Sequence, residues 1–392
     1  MNMSFNYPLA VDNWDASEKD AIQQVLDSGR FTMGKYVREF ETNICSYFGN
    51  KHTIMVNSGS SANFIMLTAL KIKYGRNWGS VAEVIVPAIS WSTTYTPLYY
   101  LGLKPVFVDV NITDLCMNVE LVRNAINENT VAIFAVNILG QPAQLTELRS
   151  LCQAKGIHLL EDNCESLGAK IDGNFTGTFG LAGSHSSFFS HHISTMEGGW
   201  IISDNDEFAD ICRSLRAHGW TRETSQDFNM GKVTGDPFQD LFHFVLPGLN
   251  FRPLEMEAAV GIAQLRKFEQ MLKVRRENAS VFQELFGDSD RFEIQSGGGE
   301  SSWFAFSLIL KGGLTDKRAN VASILKNSGI ECRPLIAGNF TRQPVNEFLG
   351  GRISGTLKIA DLIHTNGMYI GNHPYSLVNE LEYTQKILCG ID

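Results

Sequence analysis

The chain lacks basic clusters and long apolar stretches. Its 392 residues contain 33 Lys and Arg against 42 Asp and Glu, which gives a formal net charge of −9. Such a chain is a poor match for nucleic acid or an anionic membrane surface, so we expect no nucleic-acid partner. The longest apolar runs, such as residues 131–140, are far shorter than the roughly 18 residues that span a bilayer, so we expect no membrane partner.

Closely spaced cysteines and a secretion signal are also lacking. Seven cysteines are scattered along the chain, whereas zinc and iron–sulfur sites usually place theirs in tight pairs. We therefore expect no metal site, and buried free thiols are the simplest interpretation. The first residues show no basic start followed by an apolar segment, which favours a cytoplasmic protein.

Short apolar runs alternate with amphipathic stretches over the first two-thirds of the chain. The runs are residues 82–88, 104–110, 130–137, 157–163 and 199–204. Strands that are apolar on both faces and alternate with helices predict an α/β fold with a mostly parallel sheet. Ligands bind beyond the C-terminal ends of such strands, so the residues that follow each run are candidates for function.

The pattern changes after about residue 250. Residues 252–287 are typical of one long helix or two adjoining helices, residues 303–310 of a strand, and a C-terminal helix is expected from about Leu377. These features predict a large α/β domain over residues 1–255, with an N-terminal arm, and a smaller α+β domain over residues 256–392.

Small and aromatic residues follow two of the strand-like segments. Within residues 57–70, Gly59, Ser60 and Ser61 stand at the start of a helical run, where backbone N–H groups can bind a phosphate. The same pattern is also an ordinary helix cap. Trp91 follows the run 82–88, and it could stack on a planar ring or simply pack in the core or lie on the surface.

Ionisable side chains follow two other segments. The run 157–163 contains Glu161 and Asp162 near its end, so a carboxylate there could serve a ligand or cap a helix. Residues 183–203 combine hydroxyl groups, two phenylalanines and the pair His191 and His192 ahead of a Glu-Gly-Gly turn. Paired histidines can bind a metal, as in a metal hydrolase, but nothing nearby supplies an obvious third ligand.

Together, these four segments resemble the sugar aminotransferase and dehydratase family of fold type I pyridoxal-phosphate (PLP) enzymes, the DegT/DnrJ/EryC/StrS type. The resemblance covers essentially the whole chain and implies an aspartate aminotransferase-like fold. In that family, a serine and aromatic residues precede a lysine that binds the cofactor covalently, and Glu-Gly-Gly follows. Here the spacing places His191 at the lysine position, and no lysine lies between Lys170 and Lys232.

A histidine cannot form the family's covalent link, so the resemblance implies PLP, or its amino form pyridoxamine phosphate (PMP), bound non-covalently. The imidazole can instead move protons. The resemblance implies His191 and Asp162 as catalytic residues. The implied cofactor-binding residues are Gly59, Ser60, Trp91, Asp162, Glu165, Ser186 and Asn250. The implied substrate-binding residues are Ser187, His218 and Arg252.

Particular roles accompany these residues. Gly59, Ser60 and Ser186 would bind the cofactor phosphate. Trp91 would stack on the ring, Asp162 would pair with the ring nitrogen, and Glu165 would lie at the ring's other polar edge. Asn250 would reach the cofactor of a neighbouring subunit, which implies a homodimer with shared active sites.

Branches of the family that carry histidine at this position are 3-dehydratases of nucleotide-linked 4-keto sugars, in deoxysugar and O-antigen biosynthesis. One branch uses an iron–sulfur cluster on a CDP sugar; the other, of the colitose pathway, acts on GDP-4-keto-6-deoxymannose without a cluster. The scattered cysteines favour the second. The resemblance thus implies removal of the C3 hydroxyl, with glutamate as amino donor and release of ammonia. A nucleotide-sugar aminotransferase with its lysine replaced, or a catalytically degenerate PLP-fold binding protein, stay open as alternatives.

Overall fold

The helices and strands alternate along most of the chain. A computed structural model describes residues 5–225, 227–231, 234–296 and 299–391. Within these ranges the α-helices are α1 Ala16–Ser28, α2 Lys35–Phe48, α3 Gly59–Tyr74, α4 Ser92–Tyr100, α5 Val119–Ala125, α6 Leu145–Lys155, α7 Asp206–Arg216, α8 Glu255–Phe286, α9 Arg318–Asn327, α10 Asn346–Leu349, α11 Lys358–Asn366 and α12 Val378–Cys389. The strands are β1 His52–Val56, β2 Glu83–Pro87, β3 Lys104–Val108, β4 Thr130–Val136, β5 His158–Asp162, β6 Lys170–Ile171, β7 Asn174–Phe175, β8 Ala182–Ser186, β9 Gly199–Ser203, β10 Phe292–Glu293, β11 Ala305–Leu310, β12 Cys332–Pro334, β13 Arg352–Ile353 and β14 Gly367–Gly371.

The largest sheet has eight strands in the order β1-β9-β8-β5-β4-β2-β3-β13. Every neighbouring pair from β8 to β13 is parallel. The predicted α/β fold with a mostly parallel sheet is confirmed. Strand β9 runs antiparallel to β8 and β1, because residues 187–198 connect β8 to β9 without a crossover helix.

The sheet is covered on both faces, which explains its nearly continuous apolar strands. Val84 and Val86 of β2 pack in one cluster with α3, α4 and α7, whereas Ile85 between them packs in a cluster with α5 and α6. Alternate residues of a strand point to opposite faces, so a strand buried on both sides must be apolar at every position.

A second, antiparallel sheet in the order β10-β11-β14-β12 lies in the C-terminal part of the chain. The region predicted as one long helix or two adjoining helices forms the single helix α8, and its last turns pack on this sheet through Phe282, whose ring stacks on Phe306 at 4.5 Å. The proposed division at residue 255 coincides with the start of α8, while β13 returns to the large sheet. The domain boundary therefore stays a prediction. No helix in the described ranges is both long and apolar enough to cross a bilayer.

Candidate active site

A cavity of about 550 Å³ opens where the residues following β1, β2, β4, β5 and β8 converge. This is the C-terminal edge of the parallel strands, where the sequence places its candidates. The sequence-predicted residues in the lining are Gly59, Ser60, Trp91, Asp162, Glu165, Ser186 and His191. Most of the predicted site is thus brought together by the fold.

The first turn of α3 forms one end of the cavity. Ser58 caps the helix, and its Oγ accepts a hydrogen bond from the Ser61 amide at 3.1 Å. A Cβ atom on Gly59 would lie 2.6 Å from Cβ of Ser186 and 2.8 Å from Sγ of Cys164. Glycine is required because the helix start packs directly against the end of β8. The positive end of α3 consequently faces the cavity, an arrangement that suits a phosphate.

Asp162 ends β5 at the cavity and is held by three donors. Its Oδ2 accepts from Nδ2 of Asn63 and from Oγ1 of Thr94, both at 2.8 Å. Its Oδ1 accepts from the Cys164 amide at 3.3 Å. A carboxylate has about four lone-pair sites, so Asp162 can still accept a hydrogen bond from a group in the cavity.

Glu161, the neighbour of Asp162, has a different role. Its fully buried carboxylate accepts hydrogen bonds from the amides of Gly177, Phe179 and Gly180 at 2.6 to 2.8 Å. Adjacent residues of a strand point to opposite faces, so only one of this acidic pair can reach the cavity. Glu161 therefore anchors a loop.

Glu165 lies in the same wall as Asp162. Its Oε2 accepts a hydrogen bond from the Leu139 amide at 2.9 Å. Burial, together with the nearby charge of Asp162, raises the pKa of Glu165 to about 7. Its carboxyl group can therefore be protonated or ionised near neutral pH, so it can donate or accept a hydrogen bond there.

His191 stands on the loop of residues 187–198 between β8 and β9. Backbone bonds run across the loop from the Ser187 amide to Gly198 and from the Thr195 amide to Ser187, at 3.0 and 2.8 Å. Helix α8 also fixes the loop, because Oε1 of Gln264 accepts from the Ser194 amide at 3.1 Å. The short connection that makes β9 antiparallel is thus also what carries His191 into the cavity.

The imidazole of His191 lies between two phenylalanine rings. Its centroid is 6.0 Å from that of Phe188 and 5.2 Å from that of Phe304. Burial, reinforced by the positive charge of Arg275, lowers the pKa of His191 to about 4. The ring is consequently unprotonated at neutral pH and able to accept a proton.

His192, the second histidine of the pair, does not line the cavity. Its buried ring makes a 3.0 Å hydrogen bond to the carbonyl of Ser302. In the described part of the chain, no group of three or more His, Cys, Asp or Glu side chains is arranged to hold a metal ion.

Four sequence-predicted residues do not line this cavity. The Ser187 hydroxyl is fully buried and lies 2.5 Å from Oγ1 of Thr195. The His218 amide donates to the Leu249 carbonyl at 2.8 Å. Exposed Asn250 accepts from Nε of Arg252 at 3.1 Å. The buried position of Ser187 does not favour its predicted contact with substrate.

Several lining residues went unrecognised in the sequence. Asn63 follows Gly59 by one helical turn, so its position on the same face of α3 was the available signal. Arg333 and Tyr369 come from the small sheet, and no local pattern indicates which of its residues reach the large sheet.

The fold and the cavity define an α/β protein with a ligand site at the carboxyl edge of its sheet. Residues 12–383 match the DegT/DnrJ/EryC1/StrS aminotransferase family. The chain belongs to this family, as its sequence indicates.

Individual relatives are similar over nearly the full length. The chain is 45% identical to GDP-4-keto-6-deoxy-D-mannose 3-dehydratase of Yersinia pseudotuberculosis, covering 98% of both chains. It is 44% identical to the protein of the same name from Escherichia coli O55:H7, covering 98% of this chain and 99% of the relative. The solved E. coli structure with bound hydrated PLP matches with a TM-score of 0.94 at 44% identity, covering 98% of this chain and all of that one. Structures of GDP-4-keto-6-deoxymannose-3-dehydratase with a trapped PLP-glutamate geminal diamine, and of a variant with bound GDP-perosamine, match equally well.

Proposed function

We propose that the chain is a PLP-dependent 3-dehydratase that removes the C3 hydroxyl of GDP-4-keto-6-deoxymannose, with glutamate as the amino donor. The observation that carries the proposal is a histidine, His191, in the cavity at the position where the family has its lysine. The relatives with 44–45% identity that bear this activity in their names support the same conclusion.

The cavity fits a planar, phosphorylated pyridine cofactor. The start of α3 suits its phosphate, since Gly59 leaves no room for a Cβ atom there. Trp91 lines the cavity with 59% of its surface exposed in the single chain, so its ring is available for stacking. Asp162 offers the carboxylate that a pyridine nitrogen needs. No lysine lies among the described lining residues, so the fit is to a non-covalently bound cofactor, PLP or PMP.

When bound, the cofactor accepts the amino group of glutamate and later withdraws electrons from the carbon attached to that nitrogen. Asp162 would hold a proton on the ring nitrogen and so favour this withdrawal. The imidazole of His191 would take a proton from the cofactor's C4′ carbon, which allows the sugar's C3 hydroxyl to leave. The C3 oxygen would leave as water, and hydrolysis would then release the nitrogen as ammonia and leave a 3-deoxy-4-keto sugar. Glutamate, which supplies the amino group and the two electrons that this loss of oxygen requires, would leave as 2-oxoglutarate.

Arg333 provides the cationic contact in this scheme. Among the described lining residues it is the one lysine or arginine, in a lining that also contains the carboxyl groups of Asp162, Glu165 and Glu197. Glutamate and a nucleotide sugar are both anionic, and guanidinium binds carboxylate and phosphate equally well. We propose that Arg333 holds such an anionic group.

A homodimer with shared sites is part of the proposal. Exposed aromatic side chains precede Asn250, with 82% of Phe238, 67% of Phe242 and 53% of Phe244 accessible in the single chain. Such an apolar surface favours a protein contact. Asn250 and Arg252 follow these residues in the sequence and do not line the cavity of their own chain, which supports a role in a neighbouring subunit's site.

Mixing two inactive variants tests this sharing. Asn250→Ala and His191→Asn, denatured and refolded together, form hybrid dimers with one intact site, so about a quarter of wild-type activity should return. If the mixture stays as inactive as its components while hybrid dimers are present, the sites are not shared.

We also propose a cytoplasmic location, because the free thiols of the described cysteines suit a reducing compartment.

Product analysis over a substrate panel tests the activity itself. The protein would be incubated with PLP, glutamate and 4-keto-6-deoxy sugars linked to GDP, CDP, dTDP or UDP. Mass spectrometry should show loss of one oxygen atom from the GDP sugar in preference to the others. Turnover of a different nucleotide sugar alone would reject the proposed substrate, and the absence of any turnover with bound PLP would favour the degenerate binding protein.

A further inference from the structure

A chain of hydrogen bonds between buried side chains links β8 to Asp162 through α3. The Ser184 hydroxyl donates to Oδ1 of Asn63 at 2.5 Å, and Nδ2 of Asn63 donates to Oδ2 of Asp162 at 2.8 Å. Ser184, Asn63 and Asp162 are 0%, 1% and 6% exposed. Water is largely excluded from both bonds, so loss of either partner leaves a polar group unsatisfied at a cost in free energy.

The side-chain amide of Asn63 has one orientation that suits its surroundings. Its Nδ2 lies within hydrogen-bond distance of two acceptors, Oδ2 of Asp162 and the carbonyl of Thr93 at 3.3 Å. Its Oδ1 meets the hydroxyl of Ser184, which can donate. Exchange of the amide nitrogen and oxygen would place an oxygen against two acceptors. Ser184 and the Thr93 carbonyl therefore fix the donor that Asp162 receives.

This donor determines which oxygen of Asp162 can bind a ligand. Oδ2 accepts two hydrogen bonds at 2.8 Å, from Asn63 and from Oγ1 of Thr94, which fills the two positions that a carboxylate oxygen offers. Among the described residues, Oδ1 accepts the longer bond from the Cys164 amide at 3.3 Å. The free acceptor position is therefore on Oδ1, and the two short bonds to Oδ2 hold its direction.

Helix α3 consequently serves two parts of the cavity. Its first turn, at Gly59 and Ser60, is the predicted phosphate position, and Asn63 lies one turn further along on the same face, also in the cavity lining. Asparagine is less favourable than leucine in a helix interior and is costly to bury. Packing of α3 alone would favour an apolar residue at this position.

We propose that Asn63 is a positioning residue for the cofactor: it ties Asp162 to α3, so that the free carboxylate oxygen meets the ring nitrogen when the phosphate lies at the start of that helix. This inference rests on the cofactor proposed above. It adds a residue that acts on the cofactor through Asp162.

Titration of the purified chain with PLP, followed by the absorbance of the bound cofactor, tests the proposal without turnover. Asn63→Leu should raise the dissociation constant by about tenfold, because Asp162 loses the donor that orients it. In an Asp162→Ala background, the same exchange should change the constant by less than about twofold, because no carboxylate is left to orient. A further tenfold loss in the double variant would mean that Asn63 acts by packing and would overturn the proposal.

Ser184→Ala provides a second test that leaves α3 unchanged. Ser184 is not among the described residues that line the cavity, so its loss should weaken PLP binding only through Asn63. We expect about a threefold effect in the wild-type background and none in Asn63→Leu. Ser203→Ala is the matched control. Ser203 is a buried serine of β9 that binds the Leu181 carbonyl instead, so its loss should leave PLP affinity unchanged.

Unchanged PLP affinity in Asn63→Leu, with folding checked by circular dichroism, would contradict the role of Asn63. Should that variant not fold, unchanged affinity in Ser184→Ala decides against it in the same way. A wild-type chain that does not bind PLP would instead reject the cofactor itself, so the two failures are distinguishable.

Discussion

His191 and Asp162 show what a single residue can reveal in a sequence and what it cannot. The spacing of His191 to the Glu-Gly-Gly turn places it at the family's lysine position in the sequence. The structure places its side chain in the lining of the cavity. The residue pattern alone could not decide between Glu161 and Asp162, because both are acidic and adjacent, and it was the family resemblance that implied Asp162. The sheet separates them: one is bound by three loop amides and the other faces the cavity.

The exchange His191→Lys should convert the site to covalent cofactor binding. A lysine amine can bond to the aldehyde of PLP, whereas an imidazole cannot, so borohydride should fix the cofactor to the variant and not to wild type. Dehydration should fall by about two to four orders of magnitude, the usual contribution of a positioned proton acceptor. Peptide mass spectrometry and product assays measure the two effects.

His191→Asn serves as the control for this exchange, since it should lose dehydration without gaining the covalent link. Full dehydration by His191→Lys, or a borohydride-fixed cofactor in the wild-type protein, would contradict the role given to His191.

Asp162→Asn should lower turnover by about two orders of magnitude, the typical cost of losing one charge-stabilising partner at a reaction centre. An amide cannot hold a proton on the ring nitrogen as a carboxylate does. Steady-state kinetics on PLP-loaded protein provide the measurement. Glu161→Gln is the comparison, because it changes the adjacent carboxylate and should reduce thermal stability with little effect on turnover. Equal turnover in Asp162→Asn and wild type would remove Asp162 from the mechanism.

At the scale of elements, the helix start of α3 and the loop after β8 build the site. The sequence predicts the helix start from its small residues and hydroxyls. It does not predict β8, since Ala182–Ser186 reads AGSHS and has no apolar run. This strand is buried by its neighbours in the sheet, and such tertiary burial leaves small and polar residues without a periodic signal.

Gly59→Ala should weaken cofactor binding. The new methyl group would press on Ser186 and Cys164 at the packed junction, so the first turn of α3 would have to shift away from the phosphate position. We expect the dissociation constant for PLP to rise by about tenfold or more, equivalent to about 1.4 kcal/mol.

Gly79→Ala provides the control for Gly59→Ala, because a Cβ atom there meets nothing within 4 Å. Titration of each protein with PLP, followed by absorbance, measures the affinities. If both variants bind PLP as wild type does, the start of α3 does not hold the phosphate.

On the scale of the whole molecule, the apolar runs predict which segments form strands. They do not predict the direction of each strand or the packing of one sheet against the other. Five runs correspond to β2, β3, β4, β5 and β9, but the antiparallel direction of β9 depends on the length of the preceding connection. The contribution of Arg333 and Tyr369 from the small sheet depends on how that sheet packs against the large one. Neither property is a local pattern, so neither could be derived from the residues alone.

Buried histidines should make stability fall in acid. His185 is fully buried against Trp200, and burial lowers its pKa to about 3. Above its ordinary pKa, both folded and unfolded chains carry a neutral ring. As the pH falls below about 6.5, only the unfolded chain binds the proton, which costs about 1.4 kcal/mol of unfolding free energy for each pH unit.

The change His185→Gln should therefore reduce the drop in melting temperature between about pH 7 and about pH 5. The variant should also melt lower than wild type at neutral pH, because the stacking on Trp200 is lost. Melting curves at both pH values test this; an undiminished drop in the variant would mean that His185 does not contribute to acid sensitivity.

His191, in place of the family's lysine, should direct the reaction to elimination instead of amino transfer. The most direct measurement traces isotopically labelled nitrogen from glutamate during turnover of GDP-4-keto-6-deoxymannose by the wild-type protein. Elimination predicts that the label appears as free ammonia while the sugar loses one oxygen atom and carries no label. Label retained on an amino sugar that keeps its C3 hydroxyl would contradict the account and identify an aminotransferase.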